Sequence, residues 1–359
     1  MRFGAMAAVA ALALAACGAA PDKKDDTTDQ SGDAGAAATT DVKACMVSDS
    51  GGFEDKSFNE SGHKGLMRAK DDLGIKVDQA ESKADADYVP NIENMVQGGC
   101  DIIIGIGFLM ADAMDEAATN NPDTKFALVD SGFADEHVNA KPLVFNTAEA
   151  GYLAGYAAAG MSETGKVGTY LGMNLPTTAV FADGFSDGVA KFNEDNSADV
   201  TLLGWDKEKQ DGMVAGSFSD VSKGKQFTEQ LIDQGADVIL PVAGNVGLGT
   251  LAAAKESKGT MVVWVDSDGA ETDPDYAPII LTSVMKEISN AVYDVIESVV
   301  NDTYTSDAYI GTLANEGVGL APWHDFEDKV PSDLKDAIAQ LNQDIVDGKI
   351  VVESVNTPK

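Results

Sequence analysis

Acidic, amide and glycine residues cluster at the ends of short apolar runs that we predict to be strands. Aspartate and asparagine can pair with hydroxyl or amine groups, and glycine lets a ligand approach the backbone closely. In a parallel sheet covered by helices, ligands bind beyond the carboxyl ends of the strands. Each segment alone has the composition of a turn, but six of them at six strand ends predict one binding surface. The segments are residues 49–52, 105–108, 130–132, 172–174, 243–245 and 266–269.

Patterns that would indicate catalysis, a metal or a cofactor are not recognisable. The three histidines, His63, His137 and His324, have no neighbouring cysteine or glutamate at metal-ligand spacing. We recognise no GxxxxGK[ST], GxSxG or HExxH motif, and Gly105-Ile106-Gly107 lacks the third glycine of a dinucleotide fingerprint. We therefore predict a protein that is not an enzyme and that uses no cofactor and no metal.

Phenylalanines near the same loops could recognise a ligand by stacking. Core packing is the alternative interpretation for each of these aromatic rings. The candidates are Phe53, Phe58, Phe108, Phe181 and Phe218.

The arrangement of predicted elements indicates the α/β fold class. Short apolar runs alternate with amphipathic runs, which is typical of βαβ units around parallel sheets. The candidate strands are residues 43–48, 75–79, 101–106, 125–130 and 142–145, followed by 166–171, 200–205, 237–241, 261–266 and 279–282. Two consecutive series of five strands predict two doubly wound lobes joined by a hinge. We assign residues 42–150 to the first lobe, with a return segment near 284–320, and residues 151–283 to the second, with a C-terminal segment near 321–359.

Helices of the second lobe are predicted near residues 180–194, 220–234 and 246–257, and two further helices carry more specific predictions. Ser57 and Glu60 have the spacing of a capping box, which predicts a helix that opens at Ser57 and buries Leu66 and Met67. Residues 284–300 place apolar side chains at helical spacing, which predicts one long helix with a single buried stripe.

The first 41 residues have the features of a targeting segment and a tether. Arg2 precedes an apolar run that is too short to span a bilayer, and Leu14-Ala15-Ala16-Cys17 has the pattern of a lipobox. We predict a signal peptide at residues 1–17, with Cys17 carrying fatty acyl groups such as palmitate; a plain cleaved signal is the alternative. Residues 18–41 contain no branched aliphatic or aromatic side chain, which predicts a disordered tether.

Charge and cysteine content limit the partners and the compartment. The net charge of −34 argues against nucleic acid, whose phosphates would be repelled. Outside the membrane, Cys45 and Cys100 can form a disulfide, and two buried free thiols are the alternative. We predict a lipid-anchored protein on the extracytoplasmic side of the cell membrane.

The first strand-end segment and several later ones resemble a known family. Asp49-Ser50-Gly51-Gly52-Phe53-Glu54-Asp55-Lys56-Ser57-Phe58-Asn59 is similar to the opening motif of the basic membrane lipoprotein (BMP) family. Further similar segments follow in the family's order at residues 98–108, 149–155, 244–249, 266–268 and 283–286. These proteins are purine-nucleoside receptors of ABC importers. The resemblance implies a clamp like the type I periplasmic binding proteins.

The resemblance also implies which side chains hold the base of the ligand. A purine ring would stack between Phe58 and Phe218, with Phe53 as the second choice on the first-lobe side. Asp130 would pair with the edge of the base, and Asn59 would support Asp130.

The ribose would be held by a second group of residues. Asp266 and Lys286 would bind its hydroxyls, and Gly244 would allow close approach to the backbone. Asp49, the first residue of the motif, is counted among the ligand-binding residues.

The predicted function is capture of a purine nucleoside between two lobes and its delivery to the permease of an ABC importer. The tether and the missing catalytic patterns favour this function, and a monomer is expected. The alternatives are a binding protein for a sugar or another hydroxylated ligand, a surface receptor for a sensor, and a nucleoside hydrolase.

Overall fold

The computed structural model describes residues 40–358. The predicted signal peptide, Cys17 and most of the predicted tether lie outside the described residues. The strands are β1 Lys43–Ser48, β2 Lys76–Glu81, β3 Ile102–Ile106, β4 Lys125–Val129, β5 Ala140–Phe145, β6 Lys166–Leu171, β7 Thr201–Leu203, β8 Trp205–Asp206, β9 Asp211–Gly212, β10 Val238–Val242, β11 Met261–Asp266, β12 Ile280–Lys286, β13 Tyr309–Gly311 and β14 Val318–Leu320. The α-helices are α1 Phe58–Leu73, α2 Tyr88–Gln97, α3 Ala111–Asn120, α4 Thr147–Met161, α5 Pro176–Asn196, α6 Val221–Asp233, α7 Gly247–Glu256, α8 Gly269–Thr272, α9 Ile288–Val300 and α10 Ser332–Val346.

The first sheet has the strand order β13-β5-β4-β3-β1-β2, and all its pairs are parallel. Every residue of β3 is buried, as are the last five of β1, because helices cover both faces of the sheet. Such strands read as continuous apolar runs. This sheet and the helices around it form the first lobe.

The second sheet has the order β14-β12-β11-β10-β6-β7, in which only the edge pair of β12 and β14 is antiparallel. It is the core of the second lobe. The predicted α/β fold with two parallel-sheet lobes is therefore confirmed.

The chain passes between the two sheets three times: after β5, after β12, and between β13 and β14. Helix α9 packs on α1 of the first lobe, and β13 extends the first sheet. Strand β14 instead pairs with β12, so residues 318–320 of the predicted return segment lie in the second sheet. Helix α4, which starts at Thr147, packs against α5 and so already belongs to the second lobe.

The predicted helix at 284–300 was wrong in its first turn. Val284 and Met285 pair with β11 on one side and with β14 on the other, so they continue strand β12. The helix begins only at Ile288. The spacing was misleading because Val284 and Ile288 are four residues apart and both are buried, as in a helix. Val284 is buried as part of strand β12, however, and Ile288 as part of helix α9.

The predicted capping box at the start of α1 was also wrong. The Asp55 carboxylate accepts hydrogen bonds from the backbone N–H groups of Ser57, Asn59 and Glu60, at 3.1, 2.9 and 3.0 Å. Asp55 therefore fills the capping role. Of the two residues predicted to be buried, Leu66 is buried and Met67 is only half-buried.

A disulfide bond joins Cys45 of β1 to Cys100, just before β3, with their Cα atoms 5.9 Å apart. It links two neighbouring strands of the first sheet. Within residues 40–358, no helix combines the length and apolar character that crossing a membrane requires.

Candidate ligand-binding site

A cavity lies between the carboxyl ends of the two sheets. It contains about 570 Å³ of empty space, part of it open to solvent. Both lobes contribute to its wall. Eight of the nine predicted ligand residues line it: Asp49, Phe58, Asn59, Asp130, Phe218, Gly244, Asp266 and Lys286.

Asn59 is held by Asp49, not by Asp130 as the resemblance implied. The Asn59 Nδ2 group donates a hydrogen bond of 2.9 Å to Asp49 Oδ1. Both side chains belong to the first lobe, whereas Asp130 is engaged elsewhere. Burial raises the pKa of Asp49 to about 6, although the bond from Asn59 opposes this shift. Within the described chain, the buried Asn59 Oδ1 has no hydrogen-bond partner, so it is an acceptor available to a ligand.

Asp130 and Asp266 approach one ammonium group from opposite lobes. Lys286 Nζ lies 2.6 Å from Asp130 Oδ2 and 3.7 Å from Asp266 Oδ1. All three side chains are buried. Burial raises the pKa of both carboxyl groups, to about 7 for Asp266, while the charge of Lys286 acts in the opposite direction.

Both aspartates adopt a left-handed backbone conformation, with φ of 70° at Asp130 and 67° at Asp266. Residues other than glycine rarely adopt it, although aspartate does so more often than most, and it is a feature of functional sites. Because each aspartate lies at the end of a central strand, this turn of the backbone directs its carboxylate toward the gap between the sheets.

Aromatic rings from both lobes contribute to the cavity wall. Phe58 is the first residue of α1, and Phe218 precedes α6. The ammonium of Lys286 lies 4.9 Å from the centre of the Phe58 ring and 5.3 Å from that of Phe181. A Cβ atom at Gly172 would lie only 2.5 Å from the Phe218 ring. Any residue larger than glycine at position 172 would therefore clash with the ring in this position.

Phe53 does not line this cavity. Its ring stacks on the imidazole of His63, with centroids 4.7 Å apart, and packs in the core of the first lobe. The prediction of Phe53 as the second choice for stacking on the ligand is therefore wrong for this cavity. The loop that Asp55 organises directs Phe53 inward and Phe58 toward the gap.

The lobes also touch beside the cavity. The backbone carbonyl of Lys56 accepts hydrogen bonds from Trp264 Nε1 and Ser267 Oγ, at 3.2 and 3.0 Å. Asn245 Nδ2 donates a bond of 2.9 Å to the carbonyl of Gly51. The loop that carries Phe58 and Asn59 is therefore also a contact surface for the second lobe.

Comparison with known proteins identifies the family. Residues 42–356 match the Bmp family, described as "ABC transporter substrate-binding protein PnrA-like". The chain belongs to this family.

Two proteins with different printed descriptions are similar to this chain over most of its length. The ABC transporter nucleoside-binding protein BmpA of Lactococcus lactis is 32% identical over 333 residues, which cover 88% of this chain and 90% of BmpA. An uncharacterized lipoprotein of Pyrococcus abyssi is 32% identical, over 77% of this chain and 68% of its own length.

A solved structure agrees with the fold of the Bmp chain. The solute-binding protein of an ABC transporter system from Aeropyrum pernix K1 superposes with a TM-score of 0.79 and 25% identity. The match covers 89% of this chain and 94% of that one. The chain is thus a substrate-binding protein of the ABC transporter class.

Several residues that line the cavity of this Bmp chain were not predicted. Leu175, Thr177 and Thr178 lie at the start of α5, and Asp55 lies in the first loop. The helix was predicted to begin near residue 180, so its first turn was missed. Pro176, a residue favoured at the first helical position, was the signal that could have corrected this start.

The prediction that the sequence lacks a GxSxG motif is wrong, because residues 184–188, Gly-Phe-Ser-Asp-Gly, have the spacing of a hydrolase nucleophile elbow. That motif requires a sharp turn from strand to helix. Here it lies inside α5, where Gly184 and Gly188 pack closely against the α4 backbone. The two glycines are therefore explained by helix packing.

Proposed function

We propose that the protein binds a purine nucleoside between its lobes and presents it to the permease of an ABC importer. The observation that carries the proposal is a cavity walled by Phe58 and Phe218 and lined by four buried carboxylates and one buried ammonium, which lies between two of them. The nucleoside-binding relative BmpA supports the same class of ligand.

The aromatic residues account for the base. Stacking of a planar base on aromatic side chains contributes about 1–3 kcal/mol of binding free energy per base. This contribution depends little on which base is stacked. Asp130 accepts a hydrogen bond from the edge of the base, and the free Asn59 Oδ1 offers a second acceptor. A purine that presents N–H groups fits these acceptors.

The carboxylates and the lysine account for the ribose. Asp266 accepts hydrogen bonds from the hydroxyl groups of the sugar, and Lys286 donates to their oxygens. Gly244 has a φ of 54° and lines the cavity, so the backbone at this position can contact the sugar without a side chain intervening.

Calorimetric titration with adenosine, guanosine, inosine and uridine tests the proposal. We expect binding of at least one purine nucleoside and weaker binding of uridine, whose single ring offers less stacking area. No heat from any of the four nucleosides would reject a nucleoside ligand. Binding of a sugar alone would retain the solute-binding class and change the ligand.

The double variant Asp130→Ala/Phe218→Ala separates a base from a sugar as the recognised group. Loss of nucleoside binding in this variant supports recognition of the base. The single variant Asp266→Ala does not discriminate, because hydroxyl groups are present in both kinds of ligand.

We further propose that acyl groups on Cys17 anchor the protein to the extracytoplasmic face of the membrane. The lipobox and the lipoprotein relative from Pyrococcus abyssi support this location. The full-length protein should partition into detergent, and Cys17→Ser should partition into the aqueous phase. Equal partitioning of the two proteins would contradict the anchor.

A further inference from the structure

A second cavity adjoins the ligand cavity at the Asp130–Lys286 pair. It contains about 690 Å³ of empty space, part of it open to solvent. The two cavities share Phe108, Asp130, Thr177 and Lys286 in their walls. A ligand group that is hydrogen-bonded to Asp130 in the first cavity therefore lies next to the second cavity.

The wall of the second cavity is mainly apolar. Side chains of β5, of α5 and of the segment before β13 contribute to it, and only a few polar groups accompany them. The apolar residues that define it best are Pro142, Val144, Val180, Ala308 and Pro358. Such a wall favours an aliphatic or aromatic group and offers little to a charged one.

Residues 354–358 close part of this cavity, and the buried carboxylate of Asp183 holds them in place. Ser354 Oγ and Asn356 Nδ2 donate hydrogen bonds of 2.6 and 3.2 Å to Asp183 Oδ2. Trp205 Nε1 donates a bond of 2.9 Å to Asp183 Oδ1. Asn356 therefore occupies a fixed position where it lines the cavity.

We propose that this second cavity is a subsite for an apolar substituent on the base edge of the ligand. The inference rests on the proposed function, in which Asp130 pairs with that edge. A substituent on the exocyclic amine of a purine leaves one N–H to donate to Asp130. Its apolar part then extends past Asp130 into the second cavity.

Titration of the full chain with adenosine and N6-benzyladenosine tests the subsite. We expect the two affinities to agree within about tenfold, because burial of the benzyl group offsets the cost of ordering it. Ala308→Trp should fill the cavity from its exposed rim. It should weaken N6-benzyladenosine about tenfold or more and change adenosine less than about threefold.

Ala198→Trp, at an exposed loop position of the second lobe, is the matched control and should leave both affinities unchanged. Rejection of N6-benzyladenosine by a wild-type protein that binds adenosine would overturn the subsite and leave the proposed function intact. Equal effects of Ala308→Trp on both ligands would also overturn it. If neither ligand binds, the proposed function fails together with the inference.

Discussion

The two lobes place different residues at equivalent positions of their sheets. Strands β1 and β6 occupy the same place in the two strand orders, and the residues that follow them are Asp49 and Gly172. The first lobe thus presents a carboxylate, whereas the second leaves room for the ring of Phe218. One topology therefore gives a hydrogen-bonding wall on one side and an aromatic wall on the other.

The central strands β4 and β11 are also equivalent, and here the lobes agree. Asp130 and Asp266 follow or end these strands with the same left-handed backbone. They differ in their distance from Lys286, which hydrogen-bonds Asp130 at 2.6 Å and lies 3.7 Å from Asp266. A lysine of the second sheet thus compensates a carboxylate of the first lobe, which couples the charge balance of the site to the contact between the lobes.

Removal of this shared ammonium should have the largest effect. Lys286→Met leaves two buried carboxylates without their cation, so we expect the free energy of unfolding to fall by about 3–5 kcal/mol at pH 8. Urea denaturation measures this loss. At pH 5 the loss should be smaller, because protonated carboxyl groups need no counter-charge.

Lys258→Met, at an exposed position of the second lobe, serves as the control and should change stability by less than about 0.5 kcal/mol. A similar loss in both variants would show that the buried ammonium has no special role.

The disulfide distinguishes the first lobe from the second. Cys45→Ala/Cys100→Ala should lower the free energy of unfolding by about 2–4 kcal/mol, because a cross-link restricts the unfolded chain. Hydrogen exchange should detect lower protection in β1 and β3 and little change in β6 and β10. Uniform loss in both sheets would indicate that the lobes unfold as one unit. Ligand affinity should be retained, since neither cysteine lines the cavity.

The sequence predicts the fold well because buried parallel strands are continuous apolar runs and their ends carry distinctive residues. Asp49, Asp130 and Asp266 could be placed at the site from their positions at predicted strand ends. The partner of Asn59 could not, because Asp49 and Asp130 end different strands of the same sheet and only the fold sets their distances to the amide.

The choice between Phe53 and Phe58 also exceeded what the sequence could provide. Both residues belong to one loop, and no periodicity applies there. The direction of each ring depends on the turn that Asp55 stabilises through three backbone N–H groups. The two cavity threonines at the start of α5, Thr177 and Thr178, were missed because the helix start was misplaced.

The two rings of the first loop should therefore respond differently to mutation. Phe58→Ala should weaken nucleoside binding by about 1–3 kcal/mol, the contribution of one stacked face, with a small change in stability. Phe53→Leu should lower stability and change the affinity of the folded protein less than about threefold, since its ring lies outside the cavity. Calorimetry and urea denaturation of both variants separate the two roles. A loss of affinity in Phe53→Leu alone would reverse the assignment.

The last prediction concerns how Asp266 makes stability depend on pH. Burial raises its pKa from 3.8 to about 7, so between about pH 4 and 7 the folded protein holds a proton that the unfolded chain has released. The free energy of unfolding therefore falls as the pH rises through this window, by at most about 1.4 kcal/mol per pH unit from this group. Asp49, whose pKa is raised to about 6, contributes with the same sign.

Asp266→Asn removes one of these two titrations and should flatten the pH profile without abolishing its slope. Urea denaturation of the ligand-free protein at pH 4.5, 6 and 7.5 measures the difference, with exposed Asp233→Asn as the control. Relative to wild type, Asp266→Asn should gain stability from pH 4.5 to pH 7.5. Parallel pH profiles of the wild type and Asp266→Asn would mean that Lys286 keeps Asp266 ionised in the folded protein. One ammonium would then compensate the charges of both Asp130 and Asp266.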